Sequence, residues 1–191
     1  MSERANPVAA VIIGAGAGTR FGGPKAEATL RDGRRFLDAI VETARNAGLD
    51  PIVAVLPPGV GAPVNVRVVT NAKPGSEQIV SARLGLSQLT NAPVTSALLW
   101  PVDHPFVSLV SVLAILDAAR RPGAQIVVPV HGSRRGHPTW FHRGTWRELM
   151  TVPDGGARAV IRADPSRVSE VEVDDVGVLR DIDTRDDLDD R

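Results

Sequence analysis

Apolar positions along the chain follow two alternating rhythms. Val8 to Ile13 is a short, nearly unbroken apolar run rich in β-branched residues, the pattern of a strand buried on both faces of a parallel sheet, and it ends abruptly in glycine. From Phe36 to Ala47 the residues Phe36, Leu37, Ile40, Val41 and Ala44 recur at helical spacing, with Gly48 following as a C-terminal stop. Pro51 to Leu56 predicts a second strand. Further strands are expected at Val66 to Val69, Ala97 to Val102 and Ile126 to Val130, and helices at Ile79 to Leu89 and Leu109 to Ala119. Strands alternating with helices imply right-handed βαβ crossovers, so the expected fold class is α/β: three layers, α/β/α, around a Rossmann-like, mostly parallel sheet.

Two stretches depart from this rhythm. Gly132 to Met150 brings a Gly/Arg turn, a strand at Thr139 to His142 and a short helix carrying Trp146, as an inserted hairpin or lid would. Val168 to Val173 alternates apolar and acidic residues, as an edge or antiparallel strand does, and the tail after Asp183 reads as a charged helical terminus. Pro57 to Pro63 is the one loop rich in Pro and Gly and is expected at the surface. No repeat, low-complexity tract or linker divides the chain. Its 191 residues, 43% hydrophobic, suit one domain over residues 1–191 with enough apolar material for a core.

Composition narrows the classes of function. Lys plus Arg and Asp plus Glu are equal at 22 each, so no overall field draws nucleic acid or anionic lipid, and neither is an expected partner. Phosphate binding, if present, must come from a local site. The absence of cysteine removes thiol nucleophiles, disulfides and Cys-ligated zinc or iron–sulfur clusters. Met1 to Pro7 is polar and lacks the apolar centre of a signal peptide, and the longest apolar runs fall far below the ~20 residues that span a bilayer. Cytoplasmic residence is the default expectation.

The first strand leads into Gly14-Ala15-Gly16-Ala17-Gly18-Thr19-Arg20-Phe21-Gly22-Gly23-Pro24-Lys25. Glycines between a strand and the next element let the main chain approach a ligand closely, with amides turned inward as a phosphate cradle. Three templates compete. A dinucleotide fingerprint fails in both registers, because its third glycine would fall on Thr19 or Phe21. A Walker A loop from Gly18 reaches Gly23 but then meets Pro24 where lysine belongs, and Ala26 follows Lys25 where a hydroxyl is needed. The third template, a family signature of a small-residue loop followed by Arg, an aromatic or Met, Gly and then Lys, is the one this stretch resembles. A glycine-rich surface turn with two solvated cations is the plainer alternative.

Ala97-Leu98-Leu99-Trp100-Pro101-Val102-Asp103-His104-Pro105 is an apolar strand ending in a carboxylate. In open α/β sheets ligands sit outside the carboxyl ends of strands, which places Asp103 beside the glycine loop. Magnesium with an NTP takes one or two carboxylates plus phosphate oxygens and water, and Asp103 is the leading candidate ligand. The alternative is a cap for the helix beginning near Ser108, but Pro105 intervenes and Ser108 is the better cap. Asp181 and Asp183, two apart on an extended segment, point the same way, so one can reach a metal while the other steadies it; capping of the last helix by Asp183 or Thr184 is the competing reading. His131, His137 and His142 have no spacing that recommends a zinc site.

From Gly14 to Lys25 the chain resembles the MobA-like nucleotidyltransferases, and further matches keep the family's order from Val8 to Leu188. The resemblance implies a fold of the nucleotide-diphospho-sugar transferase type. It also implies that Gly14, Ala15, Gly16, Gly18, Thr19, Arg20 and Lys25 hold a nucleotide, with Arg20 and Lys25 neutralising charge on the triphosphate and the reacting α-phosphoryl group. Asp181-Ile182-Asp183-Thr184-Arg185-Asp186-Asp187-Leu188 is similar to the family's DIDTPEDL ending, with Arg185 for proline, which makes Asp183 the implied second Mg2+ ligand beside Asp103, and Asp181 its support. Ser81-Ala82-Arg83-Leu84-Gly85-Leu86 is similar to Ser-x-Arg-x-Gly-Leu, implying contacts of Ser81 and Arg83 to base or ribose.

Gly132 to Phe141 and Asp154 to Arg158 look like the G-x-x-R-G-H-P and GD-x-GAR segments of molybdenum cofactor cytidylyltransferases, implying that Arg135, His137 and Arg158 grip a phosphorylated acceptor. Val102 and His104 stand where the family's Gly-Asp-Gln-Pro has glycine and glutamine, a departure that bears on acceptor recognition. Cytidylyl-transferring members of the family read L-A-A-G where guanylyl-transferring ones read L-A-G-G, and the resemblance of Ile13-Gly14-Ala15-Gly16, with alanine at the third place, to the former implies cytosine as the base. The expected function is transfer of a nucleoside monophosphate, CMP before GMP, from an NTP to a phosphorylated acceptor, molybdopterin first, with pyrophosphate released and a molybdoenzyme or chaperone as the implied protein partner. A sugar phosphate, polyol phosphate or phospholactate acceptor is the rival within the enzyme class. A silent regulatory module that binds nucleotide or cofactor is the rival outside it.

Overall fold

The computed structural model describes residues 7–188 except Ala17, Pro74, Ser76 and Asp154, so Met1 to Asn6 and the first residue of the GD-x-GAR match lie outside the described residues. In chain order the elements are β1 (Val8–Ile13), α1 (Phe36–Asn46), β2 (Ile52–Leu56), β3 (Arg67–Thr70), α2 (Gln78–Ser87), β4 (Ser96–Pro101), α3 (Leu109–Ala119), β5 (Ile126–His131), β6 (Arg134–Arg135), β7 (Thr139–His142), α4 (Trp146–Thr151), α5 (Gly156–Ala163) and β8 (Val168–Glu172). They build one eight-stranded sheet in the order β3-β2-β1-β4-β7-β5-β6, with β8 also paired to β5.

The continuous apolar strands are explained by what covers them. Ala10 and Ile12 of β1 pack with α1 and α3, through Phe36, Ile40 and Ile115, on one face of the sheet. Their neighbours Ala9 and Val11 pack with α2, α4 and α5, through Leu86, Leu149 and Val160, on the other. Alternate residues thus feed two cores, which is why no polar position interrupts β1 or β2, nor β4 after its first residue, Ser96. α2 lies close against β1, since a Cβ on Gly85 would stand 2.3 Å from Val11 Cγ1. The expected stop at Gly48 is present: Gly48 N donates to Arg45 O and Leu49 N to Ala44 O. Ser108 caps α3, its Oγ accepting from Ser111 N.

Three features depart from the plain alternation. The inserted stretch contributes a short β5–β6 hairpin, and its outgoing strand β7 runs inside the sheet, antiparallel to both β4 and β5. β8 is an edge strand, as its apolar–acidic alternation predicts, and pairs with β5 in parallel rather than antiparallel fashion. α5, which the periodicity did not reveal, follows α4 and buries Val160. Among the described residues no helix is long and apolar enough to cross a membrane.

Candidate functional site

β1 and β4 are adjacent and parallel, with Ile13 opposite Pro101. Both strands therefore release their chains at the same sheet edge, the position where α/β folds receive ligands. Val102 N donates to Ile13 O at 3.0 Å, which holds the start of the glycine loop against the segment carrying Asp103. A second backbone bond, Ile182 N to Asp103 O at 2.8 Å, lays the C-terminal segment alongside and sets Asp183 next to Asp103. The carboxylate of Asp187 fixes this segment by accepting from Asp183 N at 2.9 Å, Thr184 N at 2.6 Å and Thr184 Oγ1 at 2.9 Å.

The loop itself is closed by one carbonyl. Gly18 O accepts from the amides of Phe21, Gly22 and Gly23, so the chain doubles back and brings Lys25 under the loop. Phe21 is buried, with its ring edge-on to Phe36 at 5.7 Å, and this anchors the turn to the core.

Four charged groups from three distant segments converge there. Lys25 Nζ lies 2.5 Å from Asp183 Oδ1 and 3.3 Å from Asp103 Oδ2, and Arg20 Nη2 lies 2.7 Å from Asp183 Oδ2. The hydrogen bond from Lys25, more than the charge of Arg20, holds the Asp183 carboxyl below the ordinary carboxylate range. Asp103 Oδ1 is buried and accepts no hydrogen bond among the described residues. An acceptor oxygen left bare beside a second carboxylate suits a cation, since desolvated anionic oxygen otherwise costs free energy. Asp103 and Asp183 therefore fit a divalent cation. Among the described residues no group of three or more His, Asp or Glu side chains could enclose one alone.

These residues line a hollow of about 200 Å³ that also includes Gly16, Gly18, Thr19 and Ser81. Gly14 and Ala15 lie behind it: Gly14 N donates to Val55 O, and Ala15 is buried with its carbonyl accepting from Gly75 N. Ser81 Oγ accepts from Asn71 Nδ2 at 3.1 Å and is thereby fixed at the wall. Arg83 does not join the hollow. Residues two apart on a helix differ by about 200°, and Arg83 instead donates to Leu149 O and Val152 O, tying α2 to α4.

A second hollow of about 340 Å³ adjoins the first and shares Ile13 and Gln78 with it. His137 and Arg158 line it, in a mainly apolar wall that includes Leu99, Phe141 and Ile161. Arg135 is not brought to this group. It ends β6 on the exposed hairpin and pairs with Glu170 at 2.6 Å, after which the chain turns and His137 N donates to Val178 O. His137 is deeply buried; burial first, then His104 and the charge of Arg158, push its pKa down to about 3, so the imidazole is neutral. The His104 ring lies tilted against that of His137, centroids 4.9 Å apart, and burial lowers its pKa too, against the opposing charge of Asp103.

Sequence reasoning missed Gln78, which sits between the hollows. The available signal was its position three residues before Ser81, on the same helix face. It also missed Asn71, whose side chain supports Ser81, and Asp187, whose acceptor role is invisible without the turn it closes. Asp181 is exposed, and its charge bears on His104 rather than steadying Asp183.

Comparison with known proteins gives a consistent picture. The chain is 35% identical over 125 residues to 2-C-methyl-D-erythritol 4-phosphate cytidylyltransferase of Thermus thermophilus, a match covering 64% of this chain and 55% of that protein, so the chain spans little more than half of that relative's length. Among solved structures, Rv0371c from Mycobacterium tuberculosis H37Rv superimposes with a TM-score of 0.81 at 28% identity, covering 96% of each chain. The same protein has been solved in complex with manganese, and that structure matches with a TM-score of 0.73 at 26% identity over 95% of each chain. Residues 10–170 match the model of the MobA-like NTP transferase domain. With that match across most of its length and the loop–carboxylate geometry above, the chain belongs to the MobA-like NTP transferase family.

Proposed function

We propose that this protein is a magnesium-dependent cytidylyltransferase, working as one domain, that moves CMP from CTP to a phosphorylated acceptor, with molybdopterin as the acceptor. The observation that carries the reading is the convergence of Lys25, Arg20, Asp103 and Asp183 beside the glycine loop. Asp103 and Asp183 would hold Mg2+, which supplies charge neutralisation across the phosphates. Lys25 and Arg20 receive the triphosphate, and Lys25, fixed beneath the loop, stabilises charge building on the α-phosphoryl group. Gly16, Gly18 and Thr19 form the wall along which the phosphates lie.

An oxygen of the acceptor phosphate attacks the α-phosphorus in line, a new P–O bond forms, the α–β bridge breaks, and pyrophosphate leaves. The attacking phosphate is already anionic, so the chain need not remove a proton; positioning and charge stabilisation carry the catalysis. The two adjoining hollows suit this, with the acceptor phosphate directed by Arg158 and Gln78 towards the nucleotide. Alanine at position 15, as in the family's cytidylyl-transferring members, and the likeness to a cytidylyltransferase favour cytosine over guanine.

The apolar faces of the second hollow, from Leu99, Phe141 and Ile161, suit packing of a flat ring system such as a pterin, and Glu77, Gln78 and Thr139 on the same lining supply polar groups for its edge. A polyol phosphate acceptor is the second reading, supported by the substrate that names the Thermus thermophilus relative. The test is a pyrophosphate-release screen of CTP, GTP, UTP and ATP against molybdopterin and polyol phosphates. Release with CTP and molybdopterin is expected. Release only with a polyol phosphate selects the second reading, and no release with any pair favours a silent binding module.

A further inference from the structure

The two cations assigned to the triphosphate are each paired with carboxylates in this structure. The Lys25 ammonium stands between the two carboxylates, 2.5 Å from Asp183 and 3.3 Å from Asp103, and Arg20 occupies the other oxygen of Asp183. Two cations and two carboxylates cancel, so a divalent ion approaching this cluster meets no net negative charge and finds the space between its ligands taken. Lys25 and Asp103 are only 15% and 19% exposed, which limits screening by water; Arg20, at 71%, is held far more loosely. Asp187, whose carboxyl also feels the charge of Lys25, commits one oxygen to the amides of Asp183 and Thr184.

We infer that Lys25 is the resident counter-cation of the metal site: its ammonium keeps divalent ions out of the nucleotide-free protein and yields Asp103 and Asp183 only when a triphosphate draws it away. The inference rests on the reading of this hollow as a metal–NTP site. Triphosphate carries more negative charge than the two carboxylates together, so Arg20 and then Lys25 exchange one anionic partner for another. At each stage the charges remain compensated, whereas two bare carboxylates at this separation would repel. The exchange couples the ligands, because whatever factor the nucleotide adds to metal affinity the metal returns to nucleotide affinity. Metal and nucleotide consequently enter together.

The test titrates Mn2+ into the full, nucleotide-free chain and follows free Mn2+ by electron paramagnetic resonance, with thermal melting as the control for folding. Wild type is expected to bind weakly. Lys25→Met and Lys25→Gln should each bind Mn2+ about tenfold more tightly or better, as expected for removing one partly screened positive charge. Adding Asp183→Asn to either should abolish the gain. Tight Mn2+ binding by nucleotide-free wild type overturns the inference, as does an unchanged affinity in the Lys25 variants or a gain that survives Asp183→Asn. The two proposals fail separately: Mn2+ affinity rising as described with no pyrophosphate release from any NTP removes the activity alone, and turnover with an unchanged Mn2+ affinity removes the counter-cation alone.

Discussion

Gly18 has a φ of +58°, and a Cβ there would fall 1.9 Å from the carbonyl oxygen of Gly23. Gly18→Ala should cost at least about 1–2 kcal/mol from the left-handed backbone alone, with the clash added, and should open the loop that holds Lys25. Urea denaturation together with nucleotide titration would register both losses. Gly16 makes the contrast, since a Cβ there meets nothing within 4 Å, and Gly16→Ala should leave the melting temperature near that of wild type. Composition marked both glycines equally as loop residues; both line the hollow, and only the backbone shows that Gly18 also closes the turn.

The buried imidazole of His137 makes a second prediction at this scale. Folded His137 accepts its proton only near pH 3, whereas the ordinary value is 6.5. Between those values the unfolded chain binds more protons, so stability falls as the pH drops from about 6.5, by up to about 1.4 kcal/mol per pH unit. His104, displaced in the same direction by burial, adds to the slope. Urea midpoints measured from about pH 7 to about pH 4 should therefore decline, and His137→Gln should flatten the decline. An equal slope in both proteins would show that His137 is not buried in its neutral form.

At the scale of elements, Arg83 separates what the family motif implies from what the helix does. Its guanidinium joins α2 to the carbonyls ending α4, on the far side from Ser81. Arg83→Met should destabilise the protein by about 1–2 kcal/mol through the lost charge-assisted hydrogen bonds while leaving nucleotide affinity unchanged. A weakened nucleotide affinity at full stability would return Arg83 to the site.

The buried strands β1, β2, β4 and β5 were legible as continuous apolar runs, and the three long helices because each buries one face and so leaves a period in the sequence. α5 was not, being eight residues long with one buried side chain and beginning at a glycine. The pairing direction of β8 was equally hidden, because half-buried alternation is common to any edge strand and direction is set by how α5 returns the chain. Arg135 followed the same logic as Arg83: a motif carries residue type, but the side a residue faces depends on where the strand ends.

For the whole molecule, the decisive fact is that Lys25 meets carboxylates 78 and 158 residues away along the chain. Asp103 was legible because a strand end in an α/β sheet has a known relation to the first strand. Spacing picked out the pair Asp181 and Asp183, but the choice of Asp183 came only through family resemblance, since the backbone bond from Ile182 to Asp103 that fixes it leaves no local trace. The topology that seats β4 beside β1 thus converts three remote charges into one site. The most direct test follows label from CTP carrying radioactive phosphorus at either the α or the γ position, with molybdopterin as acceptor, in wild type and in Lys25→Ala and Asp103→Ala. The α label should appear in the acceptor and the γ label in pyrophosphate, with both variants slowed by about a hundredfold or more; γ label in the acceptor, or variants as fast as wild type, would contradict nucleotidyl transfer at this site.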